Sequence, residues 1–175
     1  MIILAIDPGI ASMGYAVVRR HLHHEPEILT YGCLHTSARL LRQQRFASLF
    51  ASLVDIARLY SPTVMVIEKL FFAKNIKTAL VVGESRGVVL LLAGQLSIPV
   101  EEFTPLQVKQ AISGFGRAPK GQVQRMVQYI FKMKELPSPD DAADALALAF
   151  TYMQHARYTQ HQSSGAGFTA QTIKP

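Results

Sequence analysis

Apolar residues fill positions 2 to 6, a Pro-Gly turn follows the acidic residue at position 7, and a second apolar run opens at Met13. Residues 1–7, 13–20 and 28–36 are each apolar or β-branched, divided by DPGIAS and by the polar stretch HLHHEPE. Runs of this kind between turn residues predict three consecutive antiparallel strands. The period then lengthens. Leu41, Phe46, Leu49, Leu53, Ala57 and Tyr60 recur mostly at three- and four-residue spacing, which predicts a helix capped by Thr36 or Ser37 and ended by Pro62. TVMVI is too short for a helix and apolar on both faces, as the buried centre of a sheet requires. A mostly apolar helix from Asn75 to about Leu96 carries Gly83, Gly87 and Gly94, where another element could approach its backbone. IPVEEF predicts a fifth strand, and Thr104 with Pro105 opens a short helix over PLQVKQAI. After the glycine-rich basic loop SGFGRAPKG, Val123, Met126, Val127 and Ile130 mark one face of a helix over QVQRMVQYIFKM, and a last helix runs from Ser138-Pro139 to about His155. From Arg157 onward the periodicity is lost, and residues 157–175 are expected to be disordered.

The order βββαβαβ followed by helices predicts an α/β fold: a mixed five-stranded sheet flanked by helices, in which the crossovers set strands 1, 4 and 5 parallel. One domain over residues 1–156 accounts for the length, and with 49% hydrophobic residues the chain can bury a core of its own. TALVVGESRGVVLLLAG is interrupted from Gly83 to Gly87, short of the roughly 18 to 20 apolar residues of a membrane span. With no signal-peptide pattern, a cytoplasmic protein without membrane contact is expected. Cys33, the single cysteine, sits in an alternating stretch and reads as a buried structural thiol.

Charge changes the picture. Residues 69 to 134 hold ten Lys or Arg against three acids, an excess larger than the +6 of the whole chain. Base concentrated in this way suits a polyanion, nucleic acid above all. Against it stand four carboxylates. Asp7 ends strand 1 and Glu68 ends strand 4, and parallel neighbours bring chain-end residues to one edge, where open α/β sheets gather their ligands. On the last helix, Asp144 shares a face with Asp141 at a spacing of three and with Asp140 at four, so helical geometry leaves that partner open. Around them are only Ala and Leu, and an uncompensated carboxylate on a packing face is expensive. Capping and dipole compensation account for Asp140 and tolerably for Asp141, but not for Asp144, a turn further in. A bound cation resolves the expense, and hard oxygen donors without histidine or cysteine suit Mg²⁺ or Mn²⁺. Two such ions about 4 Å apart hydrolyse phosphodiesters.

IDPG with Gly14 and Tyr15 beyond it, IEKLFFAKN, ESRGV, VKQAISGFGRAPKGQVQRMV and DDAADALALA, in this order over about residues 1 to 153, together resemble the RuvC-type crossover junction endodeoxyribonucleases, the bacterial Holliday junction resolvases. The resemblance implies a ribonuclease H-like fold, a homodimer, and metal-dependent paired nicks across a four-way DNA junction, with a branch-migration motor complex as a further partner. It carries the catalytic, metal-holding role onto Asp7, Glu68, Asp141 and Asp144, the last two through the pattern D-A-A-D-A. Phe71, in the F-x-A-K-N element, takes the role of an aromatic stacked on a junction base. Lys109 and Lys120 match lysines near the active site, where a cation stabilises charge on the scissile phosphate. Lys74, Lys77, Arg117 and Arg125 are further candidates for backbone contacts to DNA. Ile10, Ala11 and Ser12 depart from the basic or hydroxyl residues frequent at that turn. His21, His23 and His24 read as a solvated hairpin connection.

Three rival readings compete with this one. DPGIASMGY is similar to the phosphate loop of the actin and sugar-kinase ATPases, but 175 residues leave no room for their second domain. A junction-binding scaffold would have no need of all four acids. A nuclease of the same fold acting on RNA or on other branched DNA is the stronger rival, because substrate shape is not written in four carboxylates.

Overall fold

The computed structural model describes residues 1–21, 24–69 and 76–165. Strands β1 (Ile2–Asp7), β2 (Ser12–Arg19) and β3 (Glu27–His35) form an antiparallel meander. From β1 the sheet continues in parallel to β4 (Val64–Glu68) and on to β5 (Val100–Phe103), in the order β3-β2-β1-β4-β5. This is the mixed sheet read from the sequence, with strands 1, 4 and 5 parallel. Among the described residues five helices flank it: α1 (Arg42–Tyr60), α2 (Ile76–Leu96), α3 (Pro105–Ser113), α4 (Lys120–Ile130) and α5 (Asp140–Gly165).

Because side chains alternate across a strand, each strand supplies two cores. Ile3, Ala5, Ala16, Val18 and Val66 pack with the buried alanines and leucines of α5. Leu4, Ile6, Val17, Met65 and Ile67 pack on the other face with Leu49 and Leu53 of α1 and Val89, Leu92 and Ala93 of α2. By the same alternation Asp7 and Glu68 fall on the α5 face. The helix sits close there, since Ala142, Ala143, Ala145, Ala147 and Ala149 are all buried. Gly14 of β2 makes the approach closest: a Cβ at that position would stand 2.0 Å from the Asp141 carbonyl oxygen.

Three element ends differ from the sequence reading. The Thr36 hydroxyl donates to the Ile10 carbonyl at 2.5 Å and accepts from Arg45 Nε at 2.8 Å, so it pins the turn after β1 instead of capping α1. The helix starts later, at Arg42, where Gln44 Oε1 accepts the Leu41 N–H at 3.0 Å. Helix α4 ends at Ile130, short of the expected Met133, and Lys132 takes a left-handed φ of 52°. Helix α5 passes its expected end near His155 and runs to Gly165, into the segment expected to be disordered.

Ala79–Leu96 of α2 is, by length and composition alone, apolar enough to cross a membrane, although only 22% of that stretch is buried. The interruption by Gly83 to Gly87 therefore does not exclude a span on composition. In the fold, α2 rests its Val89, Leu92 and Ala93 on the sheet.

Candidate active site

Ile6 pairs with Ile67 in the parallel ladder of β1 and β4, so the next residues, Asp7 and Glu68, leave the sheet side by side at one edge. Helix α5 begins over the same edge. Ligand oxygens of Asp7, Asp141 and Asp144 all lie within 4.8 Å of one another. Glu68 stands beside this trio. Three of the four expected acids thus converge, Glu68 lies close enough to act on Asp7 and to be raised by Asp144 but outside that group, and Asp141, not Asp140, joins it.

Asp140 has other work. It accepts from Gln124 Nε2 at 2.6 Å, and its second oxygen lies 3.3 Å from Lys120 Nζ, which is also 3.3 Å from Asp144 Oδ2. Lys120 therefore reaches the cluster from the first residue of α4. Lys109 of α3 lines the same cavity, of about 230 Å³, together with Glu68, Lys120 and Asp144.

The electrostatics register the crowding. Burial, followed by the charges of Glu68, Asp144 and Asp141, pushes Asp7 up to about 7, against the opposing pull of Lys120. Glu68 also lies above the ordinary carboxylate range, raised by burial and by Asp144 and drawn back by Lys109 and Arg86. Asp144 is raised chiefly by burial, with Lys120 pulling it down. Two lysines do not neutralise the cluster. Close carboxylates that resist ionising together are what a bound divalent cation relieves, and an all-oxygen donor set of this kind fits Mg²⁺ or Mn²⁺.

Cys33, opposite Gly14 in the sheet, is only half-buried, so the expectation of a fully buried thiol is corrected. Burial nevertheless pushes that thiol up, away from the thiolate that a metal would need. Arg117 lines a separate cavity of about 630 Å³ with Phe103, Leu106, Phe115 and His155. Arg125 is exposed on α4 beside Tyr129 and Lys132. Phe71 and Lys74 lie outside the described residues, and of Lys77 only the backbone, in α2, is described. His21 is 3.3 Å from Glu27 Oε2, and His23 lies outside the described residues.

Two residues were missed as parts of the site. Gly14 was part of the family pattern beyond IDPG, but nothing in the sequence pointed to its contact with the start of α5. Arg86 did have one, as a charge inside an apolar helix: it donates through Nη1 to the Glu68 carbonyl and through Nη2 to Glu102 Oε1 at 2.5 Å.

Residues 3–152 match the family model described as "Crossover junction endodeoxyribonuclease RuvC". Proteins of that name from Moorella thermoacetica and Thermomicrobium roseum are 47% and 48% identical, covering 95% and 91% of this chain and 99% and 97% of their own. Among solved structures, Thermus thermophilus RuvC in complex with Holliday junction substrate superposes with a TM-score of 0.86 at 34% identity, over 91% of this chain and 96% of that one. The yeast mitochondrial Holliday junction resolvase Ydc2 shares the fold at a TM-score of 0.66 and 14% identity, over 91% of this chain and 80% of that one.

Proposed function

Since the chain belongs to the RuvC family of crossover junction endodeoxyribonucleases, with its ribonuclease H-like fold, we propose that its carboxylate edge is the centre that resolves Holliday junctions by hydrolysing DNA backbone. One observation carries this reading: Asp7, Asp141 and Asp144 converge within 4.8 Å on the edge that also presents Glu68, with two lysines in the adjoining cavity. Divalent cations held there would activate a water and offset the charge that grows on the leaving oxygen. Asp7, Glu68, Asp141 and Asp144 would hold the ions, two of them on our reading, with Asp7 central to the set because the charges of the other three acids all act on it. Lys120 and Lys109 are placed to hold the phosphate oxygens and to steady the charge that grows on them. Phe71 takes the base-stacking role, and Lys74, Lys77, Arg117 and Arg125 hold the backbone of the arms. Phe71→Ala should lose turnover while Mn²⁺ still binds, as a titration of the free protein would register.

A homodimer gives two such edges for two symmetric nicks. The outer side of α2 supports it: Leu80, Leu90, Leu91 and Leu96 are 63%, 42%, 57% and 40% exposed, and Gly87 and Gly94 have open space where a Cβ would stand. Apolar side chains beside glycines let a second helix approach closely. We extend the reading to a branch-migration motor as partner and to a cytoplasmic location.

The test is cleavage of a synthetic four-way DNA junction beside a matched duplex, a fork and an RNA–DNA hybrid, with Mg²⁺, with Mn²⁺ and with chelator. Paired symmetric nicks on the junction alone, lost with chelator, are expected. Preference for the hybrid or the fork would turn the reading to the rival nuclease, and tight binding without nicks would turn it to a scaffold.

A further inference from the structure

Arg86 stands on the face of the sheet away from the carboxylate cluster, yet it holds the main chain of Glu68. By strand alternation the Glu68 side chain emerges on the α5 face, while α2 packs on the opposite face through Val89, Leu92 and Ala93. From α2, Arg86 reaches the end of β4, where Nη1 donates to the Glu68 main-chain carbonyl. Its other terminal nitrogen donates to Glu102 of β5 at 2.5 Å, and only 12% of the arginine side chain is exposed. A planar guanidinium that engages two acceptors with separate nitrogens fixes both in direction as well as distance. Glu102 pairs with Ile67, and Lys69 N–H donates to the Phe103 carbonyl at 2.7 Å, so the clamp closes at the last rung of the β4–β5 ladder. Immediately beyond it the chain leaves the sheet. Glu68 is thus a strand-end residue whose backbone direction is set by an arginine from another element.

We propose that Arg86 is a positioning residue for cleavage, one that fixes the Glu68 main chain and so aims its carboxylate toward the cluster of Asp7, Asp141 and Asp144. Its hydrogen bonds go to the Glu68 main chain and to Glu102, so its effect on the chemistry passes through Glu68. Because it rises from the helix whose outer side is open to a second copy, it also ties the placement of Glu68 to the seating of α2. This rests on the reading of the carboxylate edge as a metal-dependent nuclease centre.

The experiment compares Arg86→Gln, Arg86→Lys, Glu102→Gln and Glu68→Gln as full-length proteins in four measurements: junction cleavage under single-turnover conditions, Mn²⁺ binding by calorimetry without DNA, junction affinity in Ca²⁺, and thermal stability. Arg86→Gln should lower the cleavage rate by at least about tenfold and weaken Mn²⁺ binding, with junction affinity kept within about twofold. Arg86→Lys should recover part of that loss, since one charged donor can still reach the carbonyl. Glu102→Gln should cost less than Arg86→Gln, because the bond to Glu68 survives. Wild-type cleavage and Mn²⁺ affinity in Arg86→Gln, with Glu68→Gln inactive, would overturn the inference alone. Full activity in Glu68→Gln would instead overturn the reading of the site. Loss of junction affinity and stability in Arg86→Gln, unrelieved in Arg86→Lys, would also overturn the inference by making the role one of folding.

Discussion

The two faces of the sheet are built from the same strands, residue by residue in alternation, and they carry opposite loads. On the α1 and α2 face, Leu4, Ile6, Met65 and Ile67 meet Leu49, Leu53 and Leu92, all essentially without exposure and all apolar. On the α5 face the same kind of core stops one residue short of the strand ends, and the next positions are Asp7 and Glu68. The first face meets its neighbours through apolar side chains, with its Arg86 charge matched by Glu102, whereas on the second, burial and like charge push Asp7 up to about 7. A rigid apolar platform on one side allows the other to hold carboxylates closer together than they would stand alone. That is how an active site can be destabilised locally without loosening the fold.

The sharpest way to break this contrast is Asp7→Asn. Cleavage should fall by more than about 1,000-fold if Asp7 is the central acid of the proposed metal site, each factor of ten being only about 1.4 kcal/mol of barrier. Junction binding should persist. Stability should move the other way in metal-free protein. With its folded value raised above the ordinary carboxylate range, Asp7 gives a stability that is full in acid and is lost as pH climbs through about 7. Asparagine removes that loss, so by neutral pH the variant should be the more stable by on the order of 3 kcal/mol. Thermal melts from pH 4 to 8 without metal would register the gap widening with pH. A gap that stays flat, or a variant that cleaves normally, would leave the α5 face no different from the other.

Gly14→Ala tests the same face through packing. A Cβ 2.0 Å from the Asp141 carbonyl oxygen must push the start of α5 away from the sheet, carrying Asp141 and Asp144 off Asp7. Overpacking of this kind costs about 1 to 3 kcal/mol. A displacement of about 1 Å in a catalytic group is worth about 100-fold in rate, so cleavage should suffer far more than stability. Equal, small effects on both would show that α5 is free to shift without disturbing the cluster.

What was legible in advance follows the same division. The strands, their parallel set and the four acids could be read because alternation, short apolar runs and strand-end carboxylates are local signals. Thr36 looked like a helix cap and became a pin for the Ile10 turn, because its partner Arg45 lies across a turn that no local pattern encodes. The resemblance chose Asp141 over Asp140, a choice geometry had left open; the structure shows why, with Asp140 taken by Gln124 and Lys120. The clamp from Arg86 to the Glu68 carbonyl joins residues 18 apart in sequence. Its charge was visible in the sequence, its target was not.

The smallest effect on chemistry should come from the apolar face, and it completes the contrast. Leu53 of α1 is fully buried against the strands on the side away from the carboxylates. Truncation to alanine removes apolar burial and leaves a void, a loss of about 2 to 5 kcal/mol in comparable cores. If the platform acts only by being rigid, Leu53→Ala should lower the midpoint of chemical denaturation while the cleavage rate per folded molecule, measured well below that midpoint, stays within about twofold of wild type. The sheet would then transmit the loss as fewer folded molecules and not as a displaced Asp7. A fall in rate out of proportion to the folded fraction would mean that the apolar face shapes the carboxylate cluster as well as supporting it, and the two faces would have to be read as one unit.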